Sequence, residues 1–351
     1  MKKKNKKIIP LDKFIDFNLY NSKSGFYMKH NPFGSKGDFI TSPNISVMFS
    51  EMIAIWLISF WENSGSPKKF NLIELGSGNG EMIYQIINTL KKFPEVKKAC
   101  KFFIFEKSPY LRKIQKIKLK NFKINWINNL NKISGGLNVF IANEFFDALP
   151  VKQFIKKDNK WFENYVDFSK KNKVKIIKLI SNIKKLENKI GFKVSQNQNL
   201  IEFSPLTFNY LKKISKHIIK TNGALLIIDY GDFEEKMIDT IQGIKRHKHA
   251  NILTSFGKTD ITYRINFKLV EKIIQLFKLK LQGFTSQRDF LTRLGIQERA
   301  EILSKNLPFS KKTNLYLRLK RLIDKSQMGN LFKVMLITDK RSNFKTGFSD
   351  D

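Results

Sequence analysis

The stretch of sequence that decides the fold is Phe70-Asn71-Leu72-Ile73-Glu74-Leu75-Gly76-Ser77-Gly78-Asn79-Gly80. Its apolar first half predicts a buried strand, and the apolar residues between positions 82 and 90 recur at helical spacing. The glycines between these two elements let the backbone approach a ligand closely, because glycine has no Cβ. The first turn of the helix also offers unpaired N–H groups to a polar or anionic ligand. Such a turn either binds a ligand or is an ordinary tight connection between a strand and a helix.

Two common phosphate-binding motifs do not fit this turn. A dinucleotide fingerprint needs a glycine at position 81, where the chain has Glu81, and a P-loop needs Gly-Lys-Ser/Thr, which is absent. The remaining pattern, acid-x-Gly-x-Gly-x-Gly, resembles motif I of class I S-adenosylmethionine (SAM) methyltransferases. In that family the turn passes the methionine part and the ribose, and the strand-end acid lies near the ammonium group. The resemblance implies that Glu74, Gly76, Gly78 and Gly80 bind SAM.

A second acid strengthens the ligand-binding interpretation. The apolar run 101–105 ends at Glu106, and the helical pattern of 80–93 lies between the two runs. This arrangement predicts a βαβ unit with parallel neighbouring strands, whose carboxyl ends lie at one edge of the sheet. A carboxylate there can accept both hydroxyls of a ribose, although an exposed acid at a strand end is the simpler alternative. Glu74 and Glu106 together favour a nucleoside ligand.

The remaining elements predict an α/β doubly wound sheet. Further strands are predicted at 123–129, 137–142 and 224–229, and two closing strands of antiparallel type at 278–282 and 332–338. Residues 151–168 alternate on either side of Asp158-Asn159, which is typical of a β-hairpin. Residues 169–200 are rich in Lys, Asn and Ile without clear periodicity, so we expect a variable insertion there.

Length and composition restrict the class of protein. A chain of 351 residues can bury a sizeable core, either as one large domain with insertions or as two smaller domains. The single cysteine, Cys100, excludes an internal disulfide framework and favours a reducing compartment. The longest apolar stretch, 52–61, is far shorter than the roughly 20 residues of a membrane span. The basic segment 2–7 is not followed by the apolar stretch and cleavage site of a secretory signal.

The formal charge of +35 suggests nucleic acid or an anionic surface as a partner. Only nine of the 65 basic residues are arginine, however, and the lysines are spread over the predicted helices. Proteins that read bases or phosphates favour arginine, whose planar guanidinium donates two parallel hydrogen bonds. A genome-wide bias towards Lys, Asn and Ile codons gives the same composition. We therefore favour compositional drift and do not expect nucleic-acid binding, although the charge alone leaves it open.

A more specific resemblance extends over most of the chain. The blocks Gly37-Asp38-Phe39-Ile40-Thr41-Ser42-Pro43 and Asn143-Glu144-Phe145-Phe146-Asp147-Ala148-Leu149-Pro150 are far more distinctive than the glycine turn. They resemble the MidA family of SAM-dependent methyltransferases, whose members include a mitochondrial complex I assembly factor that is a protein arginine methyltransferase. Further matching blocks are Gly25-Phe26-Tyr27-Met28, Ile228-Asp229-Tyr230-Gly231, Gly257-Lys258-Thr259-Asp260-Ile261-Thr262, Phe290-Leu291-Thr292-Arg293-Leu294-Gly295-Ile296 and Met328-Gly329-Asn330-Leu331-Phe332-Lys333-Val334-Met335.

The resemblance implies a class I SAM methyltransferase fold with a Rossmann-like sheet. We expect an N-terminal helical and lid region at 1–66, a core at 67–150 and 205–341, an insertion with the β-hairpin at 151–204 and a frayed tail at 342–351. One departure concerns the glycine turn, where family members commonly carry Pro and Arg and this chain has Ser77 and Asn79. We expect a looser turn for that reason.

Further residues are expected near SAM. The loop with Thr41, Ser42 and Pro43 either covers the ligand or is a structured connection that caps the next helix. The end of the third strand often approaches the adenine amine in class I methyltransferases, and Asn128 or Asn129 occupies that position, although a turn role fits equally well. The fourth strand delivers Asn143 to the ligand edge of the sheet.

Carboxylates are the expected catalytic groups, because the resemblance implies an arginine acceptor. Methyl transfer from SAM is an in-line displacement, so the enzyme mainly aligns the reacting atoms and excludes water. Glu144 and Asp147 are close enough in sequence to face one pocket and bind a guanidinium bidentately. Glu202 is a third candidate because the family carries a similar Glu-x-x-Pro block. Each acid can instead be an exposed residue or a helix cap. The block 259–262 is expected at the rim of the substrate site.

His247 and His249 invite a metal interpretation, but no third ligand lies near them in sequence, so we expect a structural role and no metal. Two other functions stay open. An RNA methyltransferase is favoured by the charge, and an assembly factor would bind SAM without essential catalysis. The resemblance implies a subunit of NADH dehydrogenase (complex I) as the protein substrate, in the cytoplasm or, in a eukaryote, the mitochondrial matrix. The oligomeric state stays open, with a homodimer as one option.

Overall fold

The structure, a computed structural model, describes residues 7–29, 31–34, 37–133, 135–169, 174–246 and 248–349. The predictions for segment 2–6, for residues 35–36 of the lid, for residues 170–173 of the insertion, for His247 and for the end of the tail at 350–351 lie outside the described residues. Within these ranges no helix combines the length and the apolar character that crossing a membrane requires.

Helices and strands alternate along much of the described chain. The strands are β1 (Ile8–Pro10), β2 (Phe70–Leu75), β3 (Cys100–Phe105), β4 (Ile124–Ile127), β5 (Leu137–Asn143), β6 (Lys152–Lys157), β7 (Lys160–Asp167), β8 (Lys175–Ile180), β9 (Leu200–Phe203), β10 (Ala224–Asp232), β11 (Gln242–Lys245), β12 (Lys248–Ala250), β13 (Asp260–Thr262), β14 (Ile265–Asn266), β15 (Lys280–Ser286) and β16 (Phe332–Thr338). The helices are α1 (Leu11–Tyr20), α2 (Phe26–Lys29), α3 (Ser42–Ile45), α4 (Val47–Asn63), α5 (Glu81–Leu90), α6 (Pro94–Ala99), α7 (Pro109–Lys118), α8 (Ile183–Ile190), α9 (Pro205–Thr221), α10 (Phe267–Leu276), α11 (Gln287–Arg293), α12 (Ile296–Ser304), α13 (Phe309–Ile323) and α14 (Met328–Leu331). A single 3-10 turn at Leu130–Lys132 is also described.

The central sheet is built around β2, the strand of the glycine stretch. Its strand order is β15-β16-β10-β5-β2-β3-β4. The five strands β10, β5, β2, β3 and β4 run parallel to one another. β16 is antiparallel to β10 and to β15, which confirms the predicted antiparallel close of the sheet. The strand predicted from residue 278 begins at Lys280, because Lys278 adopts a left-handed conformation (φ 63°) that a strand does not accommodate.

Helices cover both faces of this sheet, and alternate residues of β2 belong to two different cores. Leu72 packs in one core with α4 and α5, where Trp56 is fully buried. Ile73 packs in the other core with α1, α9 and α10, where Phe14 is fully buried. Strands that are buried on both faces are rich in apolar residues, and every residue of β2 and β5 is buried. The predicted doubly wound α/β fold is confirmed.

A second sheet contains the predicted β-hairpin. β6 and β7 pair antiparallel around Asp158 and Asn159, whose φ angles of 48° and 56° suit a two-residue hairpin turn. β9 flanks β6, and β8 and β1 both pair with β7. The N-terminal strand therefore joins the sheet of the hairpin. The sequence gives no sign of this long-range pairing.

Candidate active site

A turn with three left-handed glycines connects β2 to α5. Gly76, Gly78 and Gly80 have φ angles of 68°, 52° and 78°, which residues with a side chain rarely adopt. A Cβ on Gly76 would lie 2.7 Å from Cδ2 of Phe145, and a Cβ on Gly78 would lie 3.2 Å from the ring of Phe33. The turn therefore passes close to aromatic rings in a space that suits only glycine.

The two residues between the glycines fasten this turn. Ser77 Oγ donates a hydrogen bond of 2.6 Å to Glu74 Oε2. Asn79 Nδ2 donates to Asn44 Oδ1 at 2.8 Å, and Asn79 Oδ1 accepts from the backbone N–H of Glu81 at 3.2 Å. The absence of Pro and Arg predicts a looser turn, and these hydrogen bonds oppose such loosening.

A small cavity of about 40 Å³ lies beside the turn, and its lining includes Thr41, Pro43, Glu74 and Asn143. Burial raises the pKa of Glu74 to about 7, although the Ser77 hydroxyl donates to its carboxylate. Asn143 Oδ1 is buried and has no hydrogen-bond partner within the described residues. An ammonium group fits this place because it donates hydrogen bonds and its charge favours an ionised carboxylate.

Glu106 follows β3 at the same edge of the sheet as the glycine turn. Its carboxylate accepts from the backbone N–H of Ser108 at 2.8 Å and from Gln115 Nε2 at 3.2 Å. The same Gln115 amide donates to the carbonyl oxygen of Gly78 at 2.9 Å. One side chain on α7 therefore ties the acid to the turn, and burial raises the pKa of Glu106. Sequence reasoning missed Gln115, whose only signal is its position on the helix after β3.

A larger cavity of about 400 Å³ extends from Gly78 and Glu106 to three further acids, Glu144, Asp147 and Asp260. Two cations in its lining are engaged by acids outside it: Lys107 Nζ lies 3.3 Å from Asp16 Oδ1, and Arg264 Nη1 lies 3.7 Å from Asp232 Oδ2. Much of the remaining wall is aromatic and consists of Tyr20, Tyr27, Phe33, Phe39, Phe105, Phe145, Tyr210, Tyr230 and Phe332. Acids and aromatic faces both attract cations.

Glu144 directly follows β5 and has a left-handed backbone with φ 50°. In a residue other than glycine this conformation costs about 1–2 kcal/mol, and such strain is concentrated at functional sites. Its Oε1 accepts from the backbone N–H of Ser42 at 3.4 Å and from Asn143 Nδ2 at 3.3 Å. Burial, and after it the charge of Asp147, raise the pKa of Glu144 to about 8.

The charges of three aspartates interact with the carboxyl group of Glu144. Burial raises the pKa of Asp147 to about 6 and that of Asp260 to about 8. The Tyr27 hydroxyl donates to Asp260 Oδ1 at 2.8 Å, whereas Asp147 Oδ1 is buried and has no hydrogen-bond partner within the described chain. Asp229 Oδ2 accepts from two backbone N–H groups of the turn after Glu144, at 3.2 and 3.3 Å. Asp229 thus fixes the turn that presents Glu144 and Asp147 to the cavity.

The other predicted residues occupy varied places. Ser42 is buried, and its hydroxyl donates to Gln287 Oε1 at 3.2 Å. Gly80 caps α5, and Asp260 comes from the block that was expected at the substrate rim. Asn128 is exposed and lines neither cavity, and its expected place at the adenine stays a prediction. His249 is exposed on β12, and the described residues contain no group of three side chains suited to a metal ion.

Glu202 lies outside both cavities, and its expected catalytic role stays a prediction. It is on β9 in the second sheet, and its Oε1 accepts from Gln153 Nε2 at 3.1 Å and from the backbone N–H of Thr240 at 3.0 Å. Thr240 Oγ1 donates to the same carboxylate and accepts from the backbone N–H of Arg264 at 3.0 Å. Glu202 therefore holds the segment before β11, a strand that lines the large cavity.

Comparison with known families identifies the family of the chain. A family model described as "Putative S-adenosyl-L-methionine-dependent methyltransferase" matches residues 52–285, more than half of the chain. The chain belongs to this family. It is a SAM-dependent methyltransferase with a class I fold, and the resemblance stated from its motifs is confirmed.

Individual relatives cover most of this methyltransferase. It is 30% identical over 355 residues to the protein arginine methyltransferase NDUFAF7 homolog, mitochondrial, of Drosophila melanogaster. The alignment covers 93% of this chain and 80% of the relative. It is 30% identical over 309 residues to the human protein arginine methyltransferase NDUFAF7, mitochondrial, with 81% of this chain and 69% of the relative covered. A crystal structure of a COG1565 superfamily member from Burkholderia thailandensis, bound to S-adenosyl-homocysteine, has a TM-score of 0.81 and 19% identity and covers 98% of this chain and 91% of that one. At this identity the structural likeness shows a shared fold.

The residues at the sheet edge fit SAM. The glycine turn leaves no space for a Cβ beside Gly76, so the backbone itself faces the cavities. Glu106 is oriented by two hydrogen bonds and lines the large cavity, where a ribose diol can donate to its carboxylate. Asn143 Oδ1 is an unpartnered buried acceptor within the described residues, in the small cavity that also holds Glu74. Polar ligand groups of the kinds that SAM carries therefore find partners at both ends of the turn.

Proposed function

We propose that this methyltransferase transfers the methyl group of SAM to a guanidinium nitrogen of a protein arginine. The observation that carries the proposal is the group of acids formed by Glu144, which is half-buried, and the buried Asp147 and Asp260 in a cavity that begins at the glycine turn. A planar cation with several donors matches carboxylates better than any neutral side chain does. The names of the relatives, which are protein arginine methyltransferases, support the same acceptor.

Each group at the sheet edge is assigned a binding role. Glu106 accepts the hydroxyls of the ribose, and the backbone at 76–80 passes the methionine part. Glu74 and Asn143 receive the ammonium group, next to Thr41 and Pro43 in the small cavity. SAM supplies an electrophilic methyl group on its sulfonium and leaves as S-adenosylhomocysteine. These roles deepen the family assignment for residues of this chain.

The acids are assigned to the acceptor. Glu144 and Asp147 hold the guanidinium, and Asp260 with Tyr27 completes the acidic wall. When the methyl carbon bonds to a guanidinium nitrogen, the bond from carbon to sulfur breaks and its electron pair stays on the sulfur. The methylated nitrogen then releases a proton, which the Glu144 carboxylate accepts. The neighbouring guanidinium keeps this carboxylate in its ionised form, which is the form that can accept a proton.

Protonation of the site depends on the substrate. Burial raises the pKa of Glu144 and of Asp260 to about 8, so both carboxyls hold protons at neutral pH when no cation is present. A bound guanidinium favours the charged carboxylates and displaces these protons. Substrate binding should therefore release protons, and the affinity for an arginine peptide should rise between pH 6 and pH 8.

The alternatives have less support. An RNA acceptor is disfavoured because the acids of the cavity repel phosphates, although the formal charge of +35 favours RNA elsewhere on the surface. An assembly factor that binds SAM without essential catalysis has no need for a strained acid at the end of β5, where Glu144 has φ 50°. The RNA alternative predicts binding that falls steeply with salt, whereas the assembly-factor alternative predicts that Glu144 can be replaced without loss of assembly and Gly78 cannot.

The acceptor protein and the cellular location are further parts of the proposal. We propose a subunit of NADH dehydrogenase as the acceptor protein, as the resemblance implies, and a cytoplasmic location for a bacterial protein or the mitochondrial matrix in a eukaryote. The division into a lid region at 1–66, core parts at 67–150 and 205–341, an insertion at 151–204 and a tail at 342–351 is also part of the proposal.

The decisive experiment for the acceptor is a methylation assay with SAM labelled in the methyl group. Arginine methylation in membrane-complex subunits is mapped by mass spectrometry after incubation with the wild type, with Glu144→Gln or with the exposed control Glu95→Gln. Label on arginine with the wild type and the control, and none with Glu144→Gln, supports the proposal. Label on RNA, or equal label on arginine with all three proteins, contradicts it.

A further inference from the structure

An open cleft of about 400 Å³ lies beside the methyltransferase cavity and is distinct from it. Eight residues line it, and four of them are cations, whereas 65 of the 351 residues of the chain are Lys or Arg. The lining of this basic cleft consists of Ser24, Lys29, Asp38, Lys245, Arg246, Phe256, Gly257 and Lys258. The concentration of positive charge therefore exceeds what the composition alone gives.

The basic cleft and the acidic cavity share their walls. β11 contributes Ile244 to the cavity and Lys245 to the cleft, and the loop after α2 contributes Phe39 to the cavity and Asp38 to the cleft. The carboxylate of Asp38 accepts from the backbone N–H of Arg246 at 2.8 Å, which joins the loop to the end of β11. Substrate that enters the cavity therefore has neighbouring residues within reach of the cleft.

The cations of the cleft are available to a partner. Lys29, Arg246 and Lys258 are exposed, and within the described part of the chain none of them forms an ion pair. Lys245 Nζ donates to Ser255 Oγ at 3.1 Å, a neutral partner that leaves its charge uncompensated. Opposite charges attract at this range, and a concave surface keeps the partner close to them.

We propose that the basic cleft binds an acidic segment of the substrate protein that flanks the methylated residue. The cavity takes a cation and the cleft beside it takes anions, so the substrate carries both within a few residues of each other. A protein segment with Asp or Glu beside an arginine has this pattern. A nucleic acid does not, because it has no cationic side chain for the acidic cavity. The inference rests on the proposed arginine acceptor.

The test measures binding and methyl transfer separately. Two fluorescein-labelled peptides of 15 residues carry a central arginine, flanked either by Asp and Glu or by Asn and Gln. Fluorescence anisotropy gives their affinities for the wild type, for Lys29→Glu/Lys258→Glu and for the control Lys311→Glu/Lys312→Glu, whose sites are exposed on α13. Equal melting temperatures and equal affinities for S-adenosylhomocysteine establish that the variants are folded.

The wild type and the control should bind the acidic peptide about tenfold more tightly than the neutral one at low salt, and charge reversal in the cleft should abolish that preference. The absence of a preference, or a preference that persists in the cleft variant, overturns the inference. A single-stranded RNA that binds through the same two lysines with higher affinity than the acidic peptide also overturns it. Label transfer from SAM to the arginine is read in parallel. A charge-dependent preference without methyl transfer contradicts the proposed arginine acceptor and still supports the basic cleft as a binding surface for acidic segments.

Discussion

The Glu144→Gln variant is expected to be more stable than the wild type in alkaline solution. In the folded protein burial raises the pKa of Glu144 from its usual 4.5 to about 8. An acid whose pKa is raised by folding contributes its full stability below the pKa of the unfolded chain, and this contribution is lost as the pH rises towards the folded pKa. The wild type therefore loses stability from about pH 4.5 up to about pH 8. Glutamine has a similar shape and cannot ionise, so this loss disappears in the variant.

The size of the effect follows from the shift in pKa. The two values lie about 3.5 pH units apart, so at about 1.36 kcal/mol per pH unit the loss is on the order of 5 kcal/mol above pH 8. Between pH 5 and pH 9 the free energy of unfolding should fall by about 4 kcal/mol more in the wild type than in Glu144→Gln. The charge of Glu144 also raises the pKa of Asp229, so its removal acts in the same direction.

Urea denaturation followed by circular dichroism at pH 5, 7 and 9 gives the free energies of unfolding. Glu95→Gln, which changes an exposed acid on α6, serves as the matched control and should follow the wild type at every pH. If the curves of the wild type and Glu144→Gln run parallel from pH 5 to pH 9, folding does not raise the pKa of Glu144, and its proposed role in the site is contradicted.

Three other substitutions test separate parts of the site. Gly78→Ala places a Cβ 3.2 Å from the ring of Phe33 at a φ of 52°, so the affinity for S-adenosylhomocysteine should fall about tenfold in calorimetry; an unchanged affinity would show that the turn does not contact the ligand. Asp260→Asn removes one negative charge from the acidic wall, so the KM for an arginine peptide should rise about tenfold while the affinity for S-adenosylhomocysteine stays constant. Equal KM values would remove Asp260 from the acceptor site. Glu202→Gln weakens the hydrogen bonds to the segment before β11, so the KM for the peptide should rise a few-fold with unchanged affinity for S-adenosylhomocysteine. A lower affinity for S-adenosylhomocysteine would contradict the placement of Glu202 outside the cofactor site.

The part of the site that lies within one βαβ unit could be predicted from the sequence. β2 and β3 are consecutive strands of the central sheet, and the glycine turn follows β2. The parallel pairing of these two strands brings Glu106 and Gly78 to one edge of the sheet. Local patterns of apolar residues and glycines determine these elements, so no long-range information is needed. Gln115, which links the two residues, was not predicted because helical residues of this kind are usually solvated.

The acceptor side of the site depends on contacts that a sequence does not display. Tyr27 and Asp260 are 233 positions apart, yet they share a hydrogen bond in the cavity wall. Glu202 and Asn128 pose a related difficulty. A motif shows that a residue belongs to a family pattern, but it does not show which cavity the residue lines, and neither of these two lines the cavities beside the glycine turn.

Calorimetric titration of S-adenosylhomocysteine into the wild type and Glu106→Ala tests the central claim most directly. The carboxylate of Glu106 is placed to accept two charge-assisted hydrogen bonds from a ribose, each of which contributes about 1.5–3 kcal/mol. The account predicts one binding site in the wild type and an affinity at least about 100-fold lower in Glu106→Ala. No heat of binding with the wild type, or equal affinity in the variant, would contradict the account.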